Sequence, residues 1–136
     1  MGDITVTAAR VGLVDPLKAI VKSYIALEAI LKGQAVYIAA ATGKVGLADE
    51  NGAGTLQFRG IALCGGGIGQ AIDVVEDGEV YGFTLEGDYD AIIYLSATPG
   101  ALATTGSVVC GRIAPMSNAA LTKVLRLFTL RHADQT

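Results

Sequence analysis

Two stretches of the 136-residue sequence bring together residue types that can do chemistry. Glu86-Gly87-Asp88-Tyr89-Asp90 sets carboxylates at i, i+2 and i+4, which share one face of an extended segment. Hard cations such as Ca²⁺ take clusters of oxygen ligands, but the remaining positions of a calcium loop are missing, so the run reads as a solvated loop. Cys64-Gly65-Gly66-Gly67-Ile68-Gly69-Gln70 has the glycine density of a phosphate cradle. A P-loop requires Gly-Lys-Ser/Thr, and Gly43-Lys44 is followed by Val45. A dinucleotide fingerprint counted from Gly65 and Gly67 requires glycine where Gln70 stands. Gly65-Gly66-Gly67 therefore reads as a tight turn, where glycine accepts backbone angles that other residues avoid. The sole histidine, His132, lies in a polar tail and supports no Ser-His or Cys-His arrangement. Ligands for a Cys/His zinc site are lacking, and nothing marks a pair of carboxylates facing across a cleft. No catalytic, cofactor or metal residue is assigned, no cofactor is expected, and the chain is expected not to be an enzyme.

Composition narrows the remaining classes. Apolar residues make up 51% and charged residues 17%, with a mean hydropathy of +0.49, which excludes a disordered chain. The net charge of −3 disfavours a nucleic-acid binder, which shows a basic footprint. Charge is uneven: residues 1–44 balance to +2, 45–111 to −8 and 112–136 to +3. Ordinary surface scatter accounts for such a pattern; the sharper reading is opposite poles that meet different partners. Cys64 and Cys110 sit in apolar strand-like runs and are expected to be free thiols. Met1-Gly2-Asp3 lacks a basic start and an apolar core, and Val6 replaces the Ser or Thr of a myristoylation signal, so neither a signal peptide nor a lipid anchor is expected. The longest uncharged stretch, Ala91–Gly111, contains Pro99, Gly100 and Gly106 and reads as strand, turn and strand rather than a membrane span. Such high hydropathy points to apolar surface shared with other chains.

The elements that must position any site are mostly strands. Residues 2–14 alternate, with Ile4, Val6 and Ala8 on one face, and form a strand or an arm within 1–14. Residues 17–32 leave helix and strand open. Leu17, Ile20, Val21, Tyr24, Leu27 and Leu31 favour a helix by pattern, with Asp15-Pro16 and Gly33 as its ends. Strands follow at 34–39, 44–48, 58–64, 70–75, 79–85, 91–95, 108–114 and 123–130. Glu76-Asp77-Gly78 is expected as a hairpin turn and Thr98-Pro99-Gly100 as another turn. Residues 131–136 form a loose polar tail. Short strands at regular spacing predict an all-β single domain over 1–136, a small barrel or sandwich. Tyr24, Tyr37, Tyr81, Tyr89 and Tyr94 read as core or interface fillers with the hydroxyl at the edge.

Several runs, taken in order, resemble the capsid decoration (cement) proteins of tailed bacteriophages. They are Gly33-Gln34-Ala35-Val36-Tyr37, Thr42-Gly43-Lys44-Val45, Phe58-Arg59-Gly60-Ile61-Ala62, Gly67-Ile68-Gly69-Gln70-Ala71 and Gly78-Glu79-Val80-Tyr81-Gly82. Tyr94-Leu95-Ser96-Ala97-Thr98-Pro99-Gly100-Ala101-Leu102 and Val109-Cys110-Gly111-Arg112-Ile113 complete the resemblance, which covers about residues 20–115. It implies a small, jelly-roll-like β-barrel or sandwich, with residues 17–32 largely extended and at most one short helical turn, near Ala29. The extended reading is adopted on that ground.

The resemblance also implies a structural virion protein on the outer face of the head, made in the bacterial host cytoplasm, with no enzymatic activity. Its partners would be the major capsid protein and further copies of itself, a two-fold dimer first and a trimer second. No nucleic acid or membrane partner is implied. The family offers no motif for its shell contacts. Candidates come instead from the two end strands, which set apolar residues beside positive charge: Ile4, Val6, Arg10 and Val11, and Leu125, Arg126, Leu127, Phe128 and Arg131. The alternative function is a cupin-like or lectin-like barrel that binds a small ligand or a carbohydrate.

Overall fold

Strands account for the regular structure of the computed structural model, which describes residues 4–7, 11–14, 19–39, 41–50, 58–85, 87–106, 108–116 and 119–127. In chain order they are β1 (Gly12–Leu13), β2 (Ile20–Ile25), β3 (Ala35–Ile38), β4 (Val45–Leu47), β5 (Gly60–Ala62), β6 (Ala71–Tyr81), β7 (Ile92–Leu95), β8 (Leu102–Ala103), β9 (Val109–Met116) and β10 (Ala119–Leu127). The fold is all-β, as expected, with no helix among the described residues. The strands run β4-β3-β5-β6-β10-β9-β7-β8, and β1 and β2 also pair with β6.

The organising element is β6. Its first part pairs with β2 and β5, and its second part with β1 and β10. The expected hairpin at Glu76-Asp77-Gly78 is therefore corrected, because the chain runs straight through as one 11-residue strand. The glycine is used differently: Gly78 has φ 131° at the point where the strand passes from one set of neighbours to the other. A turn would also have brought Glu76 to the surface, and its carboxylate is buried and partnered.

Successive residues of these strands point to opposite faces, and here both faces are covered. Ile61 and Val75, opposite each other across β5 and β6, enter one core with Ile93, Leu95, Ile113 and Leu125. Their neighbours Ala62 and Val74 enter a second core with Tyr24, Ile30, Val36 and Ile72. Two-sided burial explains the unbroken apolar runs of the sequence, each fully buried Val, Leu or Ile contributing roughly 1.5–3 kcal/mol.

The second core is enclosed because the chain beyond β2 crosses to β4. Ala26 bridges Val45 in parallel, and the Leu27 amide donates to the Val45 carbonyl at 2.7 Å. Over 20–25 the extended reading holds and the helical pattern does not, since the free edge of β6 takes these residues as a strand. The helical turn near Ala29 is absent: Ile30 instead exchanges two backbone hydrogen bonds, each 2.9 Å, with Gly66. Asp15-Pro16, Glu86 and the tail 131–136 lie outside the described residues.

Candidate interaction surface

A buried polar network holds β2 in place. The Tyr24 hydroxyl donates to Glu76 Oε2 on β6, and Arg59 Nε donates to the same oxygen at 3.3 Å. Burial, reinforced by the neighbouring Glu76 carboxylate, pushes the Tyr24 phenol above its ordinary value. Hydrogen bonding to Tyr24 and the charge of Glu76 hold the Arg59 guanidinium in its charged form. Lys22 caps the group, its Nζ 5.4 Å from the centre of the Tyr24 ring. Among the described residues no buried side-chain polar atom lacks a hydrogen-bond partner. Burial also raises the thiol of Cys110 well above its ordinary value, and both cysteines are free.

The outward side of the same region is apolar. Tyr24 and Ala26 point inward, so Val21, Ser23, Ile25 and Leu27 face out; all but the serine are large, apolar and exposed. Leu31 is 65% exposed and Ile68 is 77% exposed. Backbone bonds gather these residues. The Gly69 amide donates to the Ala26 carbonyl at 2.9 Å, which sets the backbone next to Ile68 beside the end of β2, and the Ile30–Gly66 bridge brings the backbone next to Leu31 to the same glycine-rich segment. Among the described strands, β2 pairs with β6 alone. Sequence reading missed this surface. The available signals were two apolar faces within 17–32 and one isoleucine inside a glycine turn, where polar residues are the rule.

The stretches singled out for chemistry are structural. The glycine-rich turn falls at 67–70 rather than 65–67: Gln70 N–H donates to the Gly67 carbonyl at 3.1 Å, and the positive φ belongs to Gly69. The Gly67 amide is taken by Gln70 Oε1 at 2.6 Å and the Gly66 amide by Ile30, so neither is free to cradle a phosphate. In the acidic loop, Lys123 Nζ donates to the Gly87 carbonyl at 2.6 Å and lies over the Tyr89 ring, while Arg112 donates to the Asp90 carbonyl at 2.8 Å. No group of three metal-ligating side chains occurs among the described residues.

The candidate contact residues separate. Ile4 and Val6 lie over Phe83, Gly33 and Leu102 and line a shallow cleft of about 150 Å³. The arm is fastened to its own domain, Ile4 N–H donating to Leu102 and Thr7 N–H to Gly82, each at 2.8 Å. Val11, Leu125 and Leu127 are corrected: all three are core residues. The C-terminal strand is no arm, because β10 is paired on both edges, with β6 and β9. Arg126 is exposed on that strand, across from Glu79 and Arg112. Arg10, Phe128 and Arg131 lie outside the described residues. Among the tyrosines, Tyr24 departs from the expectation of an edge hydroxyl, since its oxygen is bonded inside.

Comparison with known proteins returns no matching family model, no matching curated protein and no matching solved structure. Among the described residues no helix is long and apolar enough to cross a membrane.

Proposed function

We propose that the chain is a structural virion protein that binds the outer face of an assembled tailed-bacteriophage head. There it ties neighbouring major capsid protein subunits together and stabilises the shell against the pressure of packaged DNA. The observation that carries this reading is the distribution of apolar surface. A two-sided core with satisfied polar groups leaves most of its large exposed apolar side chains on and beside one edge strand, and a gathered patch of this kind marks an interaction site. The ordered resemblance of residues 20–115 to decoration proteins supports the same reading. Repeated identical contacts on a lattice need not each be strong, because they act together. Self-association, a dimer before a trimer, accompanies the role. The protein is made in the bacterial host cytoplasm and resides on the virion.

Co-sedimentation of the purified chain with decoration-stripped phage heads, paired with the melting temperature of those heads, tests the role. Saturable binding and a higher melting temperature are expected. Equal binding to isolated shell subunits and to assembled shells would remove the junction-bridging role, and no binding would remove the cement reading.

A further inference from the structure

We propose that residues 4–7 are an exchangeable segment, and that the seam they occupy is a strand-acceptor site that takes the same segment from a second copy of the chain. The inference goes beyond the cement reading and does not depend on binding to heads. Residues 4–7 run between two edges. On one side the Ile4 amide donates to the Leu102 carbonyl of β8 at 2.8 Å. On the other, Thr84 N–H donates to the Thr5 carbonyl at 2.9 Å, Thr7 N–H donates to the Gly82 carbonyl at 2.8 Å, and Val6 bridges Phe83. Ile4 and Val6, two positions apart, line the shallow cleft with Phe83, Pro99 and Leu102. Gly33 completes the seat, since a Cβ there would lie 2.7 Å from Val6 Cγ2. Backbone bonds to flanking edges, with seats for alternate apolar side chains, are the features of strand addition.

The segment is lightly held. Thr5, Val6 and Thr7 are exposed and Ile4 is half-buried, so little apolar burial opposes release. The next stretch of chain differs: Val11 is buried in the first core, and Gly12–Leu13 pairs with β6. Register separates the two stretches as well. Val6 to Gly12 spans six positions, whereas their partners Phe83 and Tyr81 are two apart. Residues 4–7 therefore leave without unpairing β1. Release strips these partners from the Leu102 and Gly82 carbonyls and the Thr84 amide, which favours refilling by a strand of the same pattern. The same residues of a second copy make identical contacts, so exchange requires no new surface.

The full-length chain carrying Ile4→Asp and Val6→Asp tests the assignment, because carboxylates beside Phe83 and Leu102 should leave the seam open. A fluorescein-labelled peptide of residues 1–11 stands in for the second copy's segment. It should bind this variant saturably, one per chain. It should bind the wild type about tenfold or more weakly, because the chain's own segment competes. A folded variant that ignores the peptide would overturn the proposal. Hydrogen exchange of the unaltered chain decides the matter where the variant does not fold. The Thr7 and Thr84 amides should exchange about tenfold or more faster than those of Leu63 and Ile113, which donate to Asp73 and Ala91; equal protection would overturn release. Sedimentation velocity of the concentrated wild type should show an oligomer that the variant lacks. A wild type that stays monomeric, or an oligomer that persists in the variant, would overturn exchange between copies.

Discussion

Tyr24 ties the largely exposed strand β2 to β6 through a single hydroxyl that donates to the buried Glu76. Tyr24→Phe leaves Glu76 with Arg59 alone and is expected to cost about 1–2 kcal/mol at neutral pH, measured by urea unfolding. The pH dependence has a defined sign. The folded phenol titrates above its ordinary value of 10.0, so the unfolded chain ionises first. The stability from this group is present in full below that value and is lost as pH rises through the higher folded one. Unfolding curves at neutral and alkaline pH should show a shallower decline for Tyr24→Phe than for the wild type. Gly111 illustrates a different constraint, since a Cβ there would overlap the Arg126 carbonyl across the β9–β10 pair. Gly111→Ala is expected to cost about 2–4 kcal/mol, read as a lowered melting temperature, because backbone rather than a flexible side chain must yield.

The decisive element is β6. Alternation predicts that one residue in two along a strand carries the burial energy, but here neighbours share it. Val74→Ala and Val75→Ala should each cost about 2 kcal/mol, since each empties part of a different core. A denaturation series that found only one of the two costly would contradict the two-sided packing. The same strand explains why Glu76-Asp77-Gly78 misleads. Its composition suits a hairpin, and local signals carry no information about partners that are distant in sequence, Ile20 for Asp77 and Leu127 for Gly78. The 17–32 segment misleads in the same way. Its residues suit one helical face, and only the open edge of β6 makes them a strand. Strands 34–39, 44–48, 91–95 and 108–114 were legible because Gly, Thr-Gly and Pro-Gly punctuation bounds them locally.

At the scale of the molecule, most of the large exposed apolar side chains gather around β2 among charges of both signs. The lysines of residues 1–44 reach the surface around β2 as Lys22, Lys32 and Lys44, and the carboxylates of Glu28 and of Asp73 and Asp77 on β6 lie beside the same strand, so charges of both signs meet there. Thermal stability of the free chain should change little with ionic strength, because its cores are apolar. Melting curves measured across a salt series check this. The mean hydropathy of +0.49 has two sources, exposed apolar surface and a sheet buried on both faces, the second visible where the neighbours Ile61 and Ala62, and Val74 and Val75, enter different cores.

The sequence by itself determined the all-β class, most of the strands, the free cysteines and the lack of a recognisable phosphate or metal motif, because each follows from composition, alternation or a local turn. Tertiary structure alone decided which strands became core and which became surface. Leu125 and Leu127 read as part of an arm and are interior, whereas Leu31, on the apolar face of the helical pattern, is exposed. Alternation says that a residue has two faces to choose between. What covers each face depends on pairing across tens of residues, here on β6 receiving β2 on one stretch and β10 on the next. The network of Tyr24, Arg59 and Glu76 was equally invisible, since its members are separated by up to 52 positions and meet only once β2 and β5 flank the same strand.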